Sequence, residues 1–146
     1  MLGVTICALV AAVTNGASAV IGGIAWWQVR PSRAFWVALR VGQVAAIAPA
    51  AAGGVAAAGG RNPAADLFWL YALLPLAVAF VAEQFRIASA QSVLDARGLK
   101  DAKAMARLPD AEQRSVVLAI VRREIGVMAL AAVVAVFLVL RAAATF

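Results

Sequence analysis

Long apolar stretches alternate with short polar ones along the whole chain. The first, Leu2–Trp27, carries no charge. The second, 34–58, carries one, Arg40. The third, 67–82, lies between Asp66 and Glu83, and the fourth, 125–140, between Arg123-Glu124 and Arg141. About 20 apolar residues cross a hydrocarbon core of about 30 Å as a helix. Helical continuation into the flanks lengthens the two shorter runs. The pattern therefore predicts four membrane-spanning helices at about 2–27, 34–58, 64–86 and 122–141.

Start and stop signals extend the last two. Asn62-Pro63 reads as N-cap and first helical residue, with Asp66 near the positive end of the helix dipole. No stop follows until Gly98. From Pro63 to Arg97 the helix would measure roughly 52 Å, more than a bilayer needs. Pro109-Asp110 with Gln113 resembles a capping box, and a helix from there to Arg141 would measure roughly 48 Å. Residues 87–121 should then form a helical hairpin beyond the membrane, with another turn at 101–107. In it Val93 and Leu94 would pack on Val116, Val117 and Ile120. The expected fold class is all-α: one polytopic domain over 1–146, a four-helix transmembrane bundle with its third and fourth helices extended into the cytoplasm.

Composition agrees with that solvent. Apolar residues make up 65% of the 146, against roughly 45–50% in ordinary soluble domains. Charged residues make up 14%, and the mean hydropathy is +0.93. There is no histidine, which removes imidazole-ligated metals, His-based nucleophile pairs and the usual proton shuttle. The single thiol, Cys7, can form neither an internal disulfide nor a redox pair and reads as a small buried hydrophobe. No phosphate-cradling glycine loop with its lysine is present. No cofactor, metal site or catalytic residue is expected.

Charge adds orientation. The net charge is +6, and arginine outnumbers lysine eleven to two. With abundant alanine, that bias suggests a high-GC bacterial genome. The first loop holds Arg30 and Arg33, and the segment 84–124 holds eight basic residues; the 59–66 loop has only Arg61, the tail only Arg141. The positive-inside rule then puts the first and third loops in the cytoplasm and both termini outside, in a bacterial cytoplasmic membrane. Basic residues beside apolar spans point to anionic lipid as a partner and away from nucleic acid. Ala17-Ser18-Ala19 resembles a signal-peptidase site, but the apolar run continues past it without a preceding basic residue, so an uncleaved first span is expected. Trp26, Trp27 and Trp36 at one edge, and Trp69 with Tyr71 at the other, suit interfacial belts.

Two sets of polar residues are candidates for function, since ionisable groups at the bilayer are costly. Arg40, Glu83, Arg86, Arg122, Arg123 and Glu124 form a charged layer at the cytoplasmic edge, with Gln84 beside it. A hairpin folding back around residue 104 would bring Glu83 level with Arg122, Arg123 and Glu124. Such a layer would be an interfacial salt-bridge collar with arginines reaching to headgroups, or a basic pocket that binds an anionic headgroup or an acidic partner. Asn15 and Gln43 would continue a polar path into the membrane, with Asn15 otherwise bonding a carbonyl of the second helix freed by Pro49. Gly42, Ala46, Ala50, Gly54 and Ala58 recur every four residues, and the first helix holds Ala12/Gly16, Ser18/Gly22 and Ala19/Gly23 pairs. Small residues at that spacing allow close helix contact, within the chain or by self-association. The expected function is that of a non-enzymatic accessory or scaffolding subunit. It would bind membrane lipids or other membrane proteins. The alternative is a small oligomeric transporter or channel using the Asn15–Gln43–Arg40–Glu83 path.

Overall fold

The structure, a computed structural model, describes residues 2–65, 67–100 and 102–146. Those residues form six helices and no strand: α1 Leu2–Trp27, α2 Arg33–Ala45, α3 Ala48–Ala58, α4 Leu67–Ala96, α5 Ala102–Met105 and α6 Asp110–Thr145. Four spans are long and apolar enough to cross a membrane, with α2 and α3 together making the second. Large apolar side chains such as Val13, Val20, Val44, Phe80 and Phe137 face outward, as lipid-facing positions do. The chain is a multi-pass membrane protein built as a four-helix bundle.

α1 covers the first apolar run from end to end. It closes in a Schellman turn, where Arg30 N–H reaches Ala25 O (3.0 Å) and Val29 N–H reaches Trp26 O (3.3 Å). Val29 occupies the left-handed position with φ 51°, an unusual place for a β-branched residue. Ser32 then caps α2, its Oγ accepting the Phe35 N–H at 3.1 Å.

The second span departs from the single helix expected over 34–58. It breaks at Ala46 and Ile47. Pro49 has no N–H to give to Ala45 O and its ring crowds that carbonyl; it sits in the first turn of α3, where neither costs a bond, whereas Pro75 is accommodated inside α4. The break rotates the small-residue stripe. Gly42 and Ala46 are buried, but beyond the break Pro49 and Gly53 are buried, while Gly54 faces open space.

Asn62-Pro63 does not start the third span either. α4 begins at Leu67, and the N–H groups of Ala64 and Ala65 before it donate to Phe146 O and Thr145 O at the far end of α6 (3.2 Å each). The role expected of Asp66 lies outside the described residues, as does Asp101 in the connector. α4 ends as foreseen: Gly98 takes φ 68° and Leu99 N–H closes on Leu94 O at 2.9 Å. At the start of α6, Pro109 takes the cap position, and Gln113 turns its amide back to Leu108 O (2.8 Å) and Ala106 O (3.2 Å). No capping box forms with Asp110, which begins the helix and favours its dipole from the first turn.

α6 packs along both α1 and α4; α1 also packs on α2 and α3, whereas α2 meets α4 only sparsely. The order around the bundle is thus α2/α3, α1, α6, α4, with one open seam. Small residues set the close approaches. A Cβ added to Gly22 of α1 would lie 2.5 Å from the Phe35 ring and 2.9 Å from Ala129 Cβ of α6. Gly53 of α3 similarly leaves room for Phe68 of α4. Phe35, Leu39, Ile125 and Met128 centre the core at the arginine-rich end. Val4, Phe68, Ala72, Ala142 and Phe146 centre it at the other. In the hairpin Val93, Leu99 and Val116 are buried together with Leu94 and Ile120 alongside. Val117, expected there, faces out at 43% exposure, being one helical step round from Val116.

Candidate functional site

Glu83 sits on α4 where the α2 and α6 helices come alongside, at the arginine-rich end. Its Oε1 accepts from Arg40 Nη1 of α2 at 2.6 Å, and its Oε2 from Arg86 Nε, one turn further along α4, at 2.9 Å. The spacing of three places Glu83 and Arg86 on one helix face. Arg86 extends its other edge to Glu124 of α6, Nη1 to Oε1 at 3.7 Å. Its guanidinium also lies over the Trp36 ring of α2, 5.4 Å from the centroid. Gln43 completes the set, its Oε1 accepting from Arg40 Nη1 at 2.6 Å.

Two arginines and two glutamates thus close into a neutral clip joining α2, α4 and α6. The side chains of Glu83, Arg86 and Glu124 are 21–29% exposed, while Arg40 is 53% exposed. Isolated surface pairs contribute about 0–1 kcal/mol. Here one carboxylate answers two guanidinium groups, so its removal leaves two cations facing one another.

Arg122 and Arg123 do not join this layer, contrary to the expected collar around Glu83. Arg122 lies over Trp26 at 5.1 Å, and Arg123 Nη1 donates to Ser92 Oγ at 2.7 Å. On α6 these two residues sit roughly 200° and 100° round from Glu124, so only Glu124 can face Arg86. The fold-back also centres nearer residue 105 or 106 than 104, as the Arg86–Glu124 and Arg97–Ser115 pairs show. Gln84 is exposed.

Asn15 is 2% exposed. Its amide donates to Ala11 O and to Gly42 O of α2, both at 2.8 Å. An asparagine at mid-span wants such a partner, and Gly42 allows the approach: a Cβ there would lie 2.9 Å from Asn15 Oδ1. The acceptor is a carbonyl of the second span, but not the one Pro49 frees. Gly42 O also receives the Ala46 N–H that ends α2. Thr14 and Ser18 bond back to carbonyls of their own helix. Asn15 and Gln43 both line a void of about 10 Å³, with Leu39, Ala46, Pro75 and Ala132 in its wall. It is about the size of one water. Gln43 also bonds Arg40, and Asn15 links α1 to α2.

The open seam between α2 and α4 forms a groove of about 320 Å³ below the clip, with Arg40 and Glu83 at its head and Val44, Ile47, Leu76 and Phe80 along it. Trp26 and Trp36, which suit an interfacial belt or a cation-binding aromatic face by sequence, each lie under an arginine, and Ser92 has no signal in the sequence. Their pairing with arginines depends on which helices are neighbours, and no spacing within one helix carries that. Among the described residues no group of three or more His, Cys, Asp or Glu could hold a metal ion. No protein-family model, curated protein or solved structure matches the chain.

Proposed function

We propose that this chain is a small accessory or scaffolding subunit that acts by associating with other membrane proteins or anionic lipid, without catalysis of its own. The split of charge at the arginine-rich end carries this reading. Arg40, Glu83, Arg86 and Glu124 neutralise one another, so the carboxylates that proton-coupled or acid–base work would need are occupied in holding three helices together. Arg122 and Arg123 are exposed and pair with no carboxylate among the described residues. Such charges are available to headgroups or to an acidic partner. The eight basic residues in 84–124 favour a cytoplasmic location for this end of the bundle, in a bacterial cytoplasmic membrane with both termini on the opposite side. Gly23 of α1 and Gly54 of α3, with open space beside them, favour helix contacts with another subunit or a second copy.

Reconstitution tests the reading against the transporter alternative. Vesicles containing the purified chain should pass protons, anions and small solutes no faster than protein-free vesicles. Photo-crosslinkers at Val20, Phe80 or Phe137 in intact membranes should capture a stoichiometric protein or an anionic lipid. A flux that Glu83→Gln abolishes would establish a transport function instead.

A further inference from the structure

A second groove opens on the lateral surface, between α4 and α6. It has a volume of about 440 Å³, with Ala82 and Ala131 at its floor and Leu74, Phe85, Val127 and Leu130 at its sides. Every side chain lining it is apolar. Alanines facing one another on two closely packed helices leave a trough, and the larger neighbours raise its rims.

The same helix faces lead to a cation. Ser92 lies seven residues beyond Phe85, two turns and roughly 10 Å along α4. Arg123 lies four residues before Val127, one turn and roughly 6 Å along α6. The two meet at the end of the trough, Arg123 Nη1 donating to Ser92 Oγ at 2.7 Å, and Ser92 Oγ donating on to Ser89 O at 3.0 Å. A hydroxyl takes one of the five guanidinium donors and neutralises no charge. Arg97 makes the same kind of link further out, to Ser115 Oγ at 3.1 Å. Arg40 at the head of the other groove is different, since Glu83 already answers its charge.

A cation with free donors at the head of a wholly apolar trough has the layout of a phospholipid. We propose that the α4–α6 trough binds an anionic phospholipid of the surrounding bilayer, one acyl chain lying along Ala82 and Ala131 and the phosphate resting on Arg123. Arginine suits this because its planar fork takes phosphate oxygens in pairs. A transmembrane helix of a partner protein would answer the Arg123 charge only with a carboxylate at that one register, whereas every anionic phospholipid carries its phosphate at the head of its acyl chains. The proposal rests on the association reading above and names the lipid class and its seat.

The test uses the full chain, purified and equilibrated with phosphatidylglycerol and phosphatidylcholine of identical acyl chains, with retained lipid counted by native mass spectrometry. The wild-type chain should retain the anionic lipid about fivefold to tenfold over the neutral one. Arg123→Gln should bring that preference to within about twofold, and Arg33→Gln, at the start of α2, should leave it in place. Ala77→Trp, which fills the trough from an exposed position, should lower retention of both lipids, with helix content by circular dichroism unchanged. An unaltered preference in Arg123→Gln, or unaltered retention in Ala77→Trp, would overturn the proposal. So would a photo-crosslinker at Val81 that captures protein in place of lipid. Solute flux in vesicles would overturn the association reading while leaving the lipid preference standing, so the two failures are distinguishable.

Discussion

The two ends of the bundle are held by different forces. At the end where Phe146 finishes α6, the contacts are apolar: Phe68 meets Phe146 edge-on at 4.9 Å, over Val4, Ala72 and Ala142, with Gly53 admitting the Phe68 ring. Polar links there include two backbone hydrogen bonds from Ala64 and Ala65 and one cation–π contact, Arg141 over the Tyr71 ring at 5.9 Å, with no ion pair among the described residues. At the arginine-rich end the apolar core around Phe35 and Met128 is topped by the Arg40–Glu83–Arg86–Glu124 clip and by arginines stacked on Trp26 and Trp36. The difference follows from where the charges lie: both ends of a membrane-spanning bundle meet headgroups and water, but near the Phe146 end the charged side chains among the described residues are Arg61 and Arg141. Apolar side chains gain little by moving from lipid into a helix interface, so close packing of small residues and polar links do more of the work. Where headgroups and water begin, charges can be kept and used.

That comparison breaks most severely at the glycines. Gly22→Leu should destabilise the arginine-rich half by about 3 kcal/mol, since the Phe35 ring and Ala129 leave no space for a side chain. Its neighbour Gly23→Leu should change stability little, because nothing lies within 4 Å of an added Cβ. Thermal unfolding in detergent, monitored by circular dichroism, separates the two. Glu83→Gln comes next. It should cost about 2 kcal/mol, because Arg40 and Arg86 both lose a charged acceptor, and the loss should shrink at high salt as screening weakens the clip. Phe146→Ala at the opposite end should show no such salt dependence.

Smaller effects sharpen the account. Asn15→Leu should cost about 1 kcal/mol in denaturant titrations, because Gly42 O keeps its bond from Ala46 N–H and is not left orphaned. Val29→Gly should raise stability by about 0.5–1 kcal/mol, as glycine accepts the left-handed backbone at the end of α1 without steric conflict, minus its larger unfolded-state entropy.

How much of this was readable along the chain depended on the range of the interaction concerned. α1 was delimited by its apolar run, and α4 stopped at the glycine where a left-handed residue was needed. Those are local rules. The hairpin core of Val93 and Val116 needed only the idea that two overlong helices fold back on each other. The break at Ala46 was only half available: Pro49 withholds a helical N–H from Ala45 O, but Pro75 sits inside α4 without ending it, so a proline alone does not mark a break. The docking of the 64–65 segment onto α6 was not available, because its acceptors are the carbonyls of Thr145 and Phe146, some eighty residues away. The charged layer was half readable. Arg40, Glu83, Arg86 and Glu124 do meet, but Arg122 turns to Trp26 of α1 and Arg123 to Ser92 further along α4, so neither joins them. A single step along α6 separates Glu124 in the neutral clip from Arg123, which no carboxylate among the described residues answers.

That separation is the centre of the account, and one paired measurement reaches it most directly: unfolding temperature and phosphatidylglycerol retention determined side by side on Glu83→Gln and Arg123→Gln. Glu83→Gln should lower the unfolding temperature without lowering the lipid preference, since the charge it uncovers on Arg40 favours anionic lipid, while Arg123→Gln should lose the preference with the unfolding temperature unchanged. If both variants lower both quantities, the arginine-rich end works as one undivided collar, and the division between clip and binding site is wrong.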